Sequence, residues 1–157
     1  MKLLPVLSAM LAAILAVGPA WAQSGGGLSA DGGVQNFGKE WEVHYSVFNS
    51  TFLSAKNAAA IGITRAANRG VATIALRRQE GKGSTPTPAR VTGGYRDLIH
   101  SHQLKFQEVR EGEAVYYLAR FQFSHRDLLR FRIQVVPEGV SKPLLLKFRR
   151  RLYADDR

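Results

Sequence analysis

Leu129-Arg130-Phe131-Arg132-Ile133-Gln134-Val135 is the stretch on which the fold turns. Apolar and polar side chains alternate without a break, and successive side chains of a strand point to opposite faces. Leu129, Phe131, Ile133 and Val135 therefore face a core, while Arg130, Arg132 and Gln134 face water. Downstream, Pro137 to Pro143 reads as a turn and Leu144 to Tyr153 as a closing strand. Upstream, Gln103 to Val109 and Ala114 to Phe123 read as a hairpin around Arg110-Glu111-Gly112-Glu113. Ala89 to Tyr95 is a weaker strand, whose Gly93-Gly94 pair suggests a bulge or sharp bend. Gly70 to Arg78 and Trp41 to Val47 complete the set, separated by a short helix over Ala55 to Ile61. Ser54 is placed to cap that helix and Gly62 to stop it. Gln79 to Pro88, rich in Gly, Ser and Pro, is expected to be an exposed loop.

Seven strands at regular spacing, with connections too short and polar for parallel crossovers, predict an antiparallel β-sandwich of immunoglobulin-like type. It lacks the Cys pair of antibody domains, and a small closed barrel is the competing architecture. The expected organisation is a cleaved signal peptide over 1–22, a flexible Gly-rich leader over 23–36 and one domain over 37–157. Lys2, the apolar run from Leu3 to Val17 and Ala20-Trp21-Ala22 carry the signal-peptide reading. That run is short for a membrane span, which needs ~20 apolar residues. The implied localisation is the periplasm.

The chain has 22 Lys+Arg against 12 Asp+Glu, a formal charge of +10, or +9 once Lys2 is removed with the signal. Such an excess favours anionic partners and a soluble monomer. An envelope protein or an anionic envelope component fits both charge and compartment, whereas nucleic acid fits only the charge. With no Cys in the chain, disulfides, thiol catalysis, Fe–S clusters and Cys-based zinc sites are excluded.

Three groups of residues are candidates for function. Asn49-Ser50-Thr51, between Phe48 and Phe52 at the end of a strong strand, form either a ligand-binding loop or a locally bonded turn. Arg130 and Arg132 share one strand face, as do Lys147, Arg149 and Arg151, with Arg150 pointing the other way. If the two strands are neighbours, these five form a cationic stripe suited to phosphates or sulfates, with Tyr153 beside it. The alternative is a sheet face kept wet and guarded against edge pairing. His100 and His102 have a spacing that metals use, with His44 or Asp97 as a third ligand, although exposed histidines in a linker need no such role. No cofactor is expected. No Gly-x-Ser-x-Gly, Ser-x-x-Lys, His-Glu-x-x-His or phosphate-binding glycine loop is present.

Several words of this sequence resemble an uncharacterised family of small exported bacterial proteins, catalogued as domain of unknown function 4426. They are Glu42-Val43-His44-Tyr45, Phe48-Asn49-Ser50-Thr51-Phe52-Leu53, Gly62-Ile63-x-Arg65, Arg69-Gly70, Arg110-Glu111-Gly112, Tyr116-Tyr117 and Leu146-x-Phe148. The resemblance runs from Phe37 to Tyr153. It implies a periplasmic β-sandwich of Gram-negative bacteria and assigns no activity, cofactor or catalytic residue. The expected function is a non-catalytic binding or accessory module of the cell envelope. The alternatives are a small-ligand carrier with a pocket between the sheets, and a hydrolase or metal-dependent enzyme.

Overall fold

A computed structural model of the chain describes residues 31–155. The expected signal peptide and the leader up to residue 30 lie outside the described residues. Within them run β1 (Asp31–Phe37), β2 (Trp41–Asn49), a 3-10 turn (Ser50–Phe52), α1 (Ala55–Ala60), β3 (Arg69–Glu80), β4 (Gly83–Pro86) and β5 (Ala89–Arg96). They are followed by β6 (Ser101–Leu104), β7 (Gln107–Glu111), β8 (Ala114–Gln122), β9 (Asp127–Pro137) and β10 (Leu144–Leu152).

The strands form two antiparallel sheets packed as a sandwich. One has the order β1-β2-β3-β8-β7, with β4 on the end of β3, and the other β10-β9-β5-β6. Two open sheets replace the barrel alternative. Alternation in β9 is realised as expected, with Leu129, Phe131, Ile133 and Val135 buried and Arg130, Arg132 and Gln134 exposed. They meet Val43, Val47, Ile74, Leu76, Tyr117, Phe121 and Leu146 in one continuous core. Aromatic rings run through it: Phe148 stacks on Tyr45 at 4.4 Å and on Phe131 at 4.8 Å between ring centres. Two hydroxyls tie the sheets together. Tyr117 Oη accepts the Ala89 N–H at 2.7 Å, and Tyr95 Oη donates to the Gln122 carbonyl at 2.8 Å.

A second, smaller core lies on the outer face of the larger sheet. Leu53, Ala58 and Ile63, from the segment containing α1, cover Val71 and Leu118 there. Ser54 Oγ accepts the Asn57 N–H at 3.1 Å and caps α1, and Gly62 takes a φ of 66° just past its end. Capping plus burial holds a helix this short, which would not persist alone.

Four expectations change. Residues Asp31 to Asn36, expected in the leader, pair with β2 as a strand. A Cβ on Gly33 would sit 2.7 Å from Tyr45 Oη, so the Tyr45 ring takes the place of the missing side chain and erases the alternation. The expected loop 79–88 is largely a hairpin, in which Glu80 pairs with Gly83 and Arg77 with Pro86. Its backbone bonds need no buried side chains, so no pattern announces it. The single strand expected over Gln103–Val109 is two, because the chain crosses from one sheet to the other at Lys105-Phe106. Finally, the register across Gly93-Gly94 runs through to both neighbours with no inserted residue. Gly93 adopts a φ of 150°, open to glycine.

Candidate functional site: a cationic face on the four-stranded sheet

β9 and β10 are adjacent, so the condition for a cationic stripe is met. Arg149 lies opposite Arg130, and Lys147 opposite Arg132. On the other side of β9, Arg96 of β5 lies opposite Arg130. Three guanidinium side chains thus rise side by side from neighbouring strands, ~5 Å apart at the backbone. Lys147 and Arg132 stand in the next row, and Gly94 completes it with no side chain. Arg151 extends the stripe to the end of β10, where its Nη1 donates to the Arg126 carbonyl at 3.0 Å.

Gly94 gives this face its relief. It lies between Gln103 of β6 and Arg132 of β9, and a Cβ there would collide with the His102 carbonyl. The gap is the floor of a depression of about 520 Å³, walled by Arg96, Ser101, Gln103, Arg130, Arg132 and Gln134. A neighbouring depression of about 500 Å³ shares Arg96, Arg130 and Arg132 and adds Lys147 and Arg149. No salt bridge joins Arg96, Arg130, Arg132, Lys147 or Arg149 to any described residue. Other arginines are engaged: Arg78 pairs with Glu40 at 3.0 Å and Arg110 with Glu108 at 2.6 Å. Sequence reading found five members of the stripe and missed Arg96. The expected strand stopped at Tyr95, one residue short of Arg96, and the strand order that sets Arg96 beside Arg130 was not visible.

Asn49, Ser50 and Thr51 lie at the same end of the sandwich and turn their polar groups inward on the chain. Asn49 is 5% exposed, and its Nδ2 donates to the Tyr153 carbonyl at 2.8 Å and to Asp155 Oδ1 at 3.1 Å. Ser50 Oγ accepts the Ala66 N–H at 3.0 Å and donates to the Ala66 carbonyl at 3.2 Å. Thr51 Oγ1 bonds Asp155 Oδ2, and the Thr51 carbonyl accepts from Arg65 at 3.1 Å. Asn49 and Thr51 thus fasten the residues after β10 to the end of β2, and Ser50 with the Thr51 carbonyl fastens the segment before β3.

His100 and His102 stay together, their ring centres 6.2 Å apart and both beside Asp97, while His44 stands apart. Among the described residues no group of three or more side chains is placed to hold a metal ion. His44 projects from the outer face of the larger sheet, 3.2 Å from Glu42, whereas His100 and His102 belong to the β5–β6 hairpin of the smaller one. His102 stacks on Tyr95 at 4.6 Å, and its Nε2 lies 3.0 Å from Asp97 Oδ2. Asp97 Oδ1 accepts the N–H groups of His100 and Ile99 at 2.6 and 2.7 Å. The His100 N–H foremost, with His102 and the Ile99 N–H, holds the Asp97 carboxyl well below the usual carboxylate range. Asp97 is thus the organiser of a tight turn. At the other end, Glu108 is lowered by its bond to Arg110, and Tyr117 is raised, chiefly by burial.

Residues 34–155 match the family described as "Domain of unknown function (DUF4426)". The crystal structure of a DUF4426 family protein from Pseudomonas aeruginosa PAO1 is similar to this chain, with 36% identity and a TM-score of 0.68. The match covers 80% of this chain and 97% of that one. No curated protein matches. The chain belongs to the DUF4426 family.

Proposed function

We propose that this DUF4426 member is a non-catalytic binding module of the cell envelope, which holds an anionic envelope component against the outer face of β5, β9 and β10. The observation that carries the reading is the row Arg96–Arg130–Arg149, backed by Arg132 and Lys147 and free of salt bridges to any described residue. Like charges directly opposite on a sheet cost stability. Tolerating three such pairs, Arg96–Arg130, Arg130–Arg149 and Arg132–Lys147, favours a demand from outside the fold. Guanidinium groups at strand spacing, beside a depression floored by Gly94, suit phosphate, sulfate or carboxylate groups through forked hydrogen bonds. The periplasm is the proposed compartment, on the strength of Lys2, the Leu3–Val17 run and Ala20-Trp21-Ala22. We assign the sandwich to the immunoglobulin-like type as part of the same reading; the antiparallel face-to-face sheets support it.

Capture of periplasmic material by the mature chain, crosslinked at low and at high salt, tests the reading. Arg149→Glu with Arg151→Glu is expected to reduce capture strongly while leaving the melting temperature nearly unchanged, because the Arg151–Arg126 bond it removes is exposed. Capture by the wild type is expected to fall as salt rises, because exposed charges are screened. Undiminished capture by the double variant would remove the cationic face from the account.

A further inference from the structure

Charge and exposed apolar side chains are both distributed unevenly along the long axis of the sandwich. At one end the turns and strand ends carry charges of both signs: Glu40, Glu80, Glu111, Glu113 and Glu138 stand beside Lys39, Lys82 and Lys142, and the ion pairs Arg78–Glu40 and Arg110–Glu108 lie there too. At the other end stand Arg96, Arg126, Arg130, Arg149 and Arg151. Each aspartate described at that end is engaged locally: Asp97 within its turn, Asp127 with the Ser124 N–H, and Asp155 with Asn49 and Thr51. This arginine-rich end also exposes large apolar side chains. Leu98 and Ile99, 76% and 77% exposed, form the tip of the β5–β6 hairpin directly beyond Arg96. Phe52 and Tyr153 are exposed at the same end.

The tip is rigid as well as apolar, because Asp97 bonds the backbone N–H groups of both Ile99 and His100. Isolated exposed apolar residues are ordinary on protein surfaces. Two adjacent aliphatic side chains on a braced hairpin, bordered by cations without carboxylate partners, are a different combination. It matches the interface of a charged bilayer, where basic groups meet lipid phosphates and apolar groups enter the acyl boundary. Among the described residues no helix is long and apolar enough to cross a membrane, and this contact needs none.

We infer that the arginine-rich end of the sandwich docks peripherally on a bilayer containing anionic phospholipid, inserting Leu98 and Ile99 while Arg96, Arg130 and Arg149 engage headgroup phosphates. This deepens the reading of the cationic face and rests on it. The test is co-sedimentation of the mature chain with vesicles of phosphatidylcholine, alone or with about one-third phosphatidylglycerol. Wild type is expected to sediment with the anionic vesicles only. Leu98→Ser with Ile99→Ser, both at exposed positions, is expected to lose about tenfold or more in vesicle affinity while melting like the wild type. Arg130→Glu with Arg149→Glu is expected to abolish sedimentation. Wild type that ignores anionic vesicles, or a Leu98/Ile99 variant that binds them undiminished, would overturn the inference. Salt-sensitive, Arg149-dependent capture of a soluble partner alongside either result would reject the bilayer and keep the binding face. Loss of that capture too would reject both.

Discussion

Asn49 illustrates why polar residues in a loop can look like a binding site and act as a fastening. Its amide is almost fully buried, and it bonds both the Tyr153 carbonyl and Asp155. Truncating Asn49 removes both bonds, one of them to a carboxylate, and leaves a gap where the buried amide stood. Asn49→Ala is expected to lower unfolding free energy by ~1–3 kcal/mol, read from the denaturant midpoint. Thr51→Ala, at a less buried bond to Asp155, should cost less; equal losses would contradict the assignment. Asp97 carries a second prediction at this scale. Its carboxyl is lowered in the folded state by the His100 N–H first, then by His102 and the Ile99 N–H. Its support for the turn is therefore complete above the ordinary Asp value of about 4, and is lost as pH falls from there toward the lowered folded value. Amide-exchange protection at Ile99 and His100 should fall in that acid window. Asp97→Ala should show low protection on both sides of it. Protection unchanged on acidification would mean that Asp97 does not brace the tip.

At the scale of elements, β9 and β10 place Arg130 against Arg149 and Arg132 against Lys147. Like charges directly opposite on a sheet are destabilising, and an opposite-charge pair is favourable by ~0.2–1 kcal/mol. Arg149→Glu is therefore expected to hold or raise the melting temperature, measured by calorimetry, although it removes a proposed contact. A clear loss of stability would mean that Arg149 serves the fold. Gly94→Val should act in the opposite sense, since its Cβ meets the His102 backbone; such overpacking typically costs ~1–3 kcal/mol. β8 and β9 were legible from their buried side chains, and α1 and the hairpin turn from the local signals Ser54, Gly62 and Gly112. Elements built from backbone pairing were not. β1 is hidden because Tyr45 covers Gly33, and β4 because its side chains have no apolar face to fill. The split between β6 and β7 was also invisible, since one run of suitable residues serves two sheets.

On the scale of the whole molecule, what the sequence could not carry is strand order. Alternation placed Arg130, Arg132, Lys147, Arg149 and Arg151 on outward faces. Only the pairing of β5 with β9 brings Arg96 and the Gly94 gap into the same surface. Likewise, the arginines of β5, β9 and β10 and the apolar tip of the β5–β6 hairpin come to one end only when the sandwich closes, whereas glutamates and lysines share the turns of the other. The reading that follows is of a rigid scaffold with one polarised face, whose function lies in what it holds. The most direct measurement is site-specific photocrosslinking in periplasmic extract, with the probe at Gln134 inside the cationic depression or at Ser46 on the larger sheet. Adducts at Gln134 that disappear at high salt, with none at Ser46, are the predicted result. Adducts at Ser46 and none at Gln134 would contradict it.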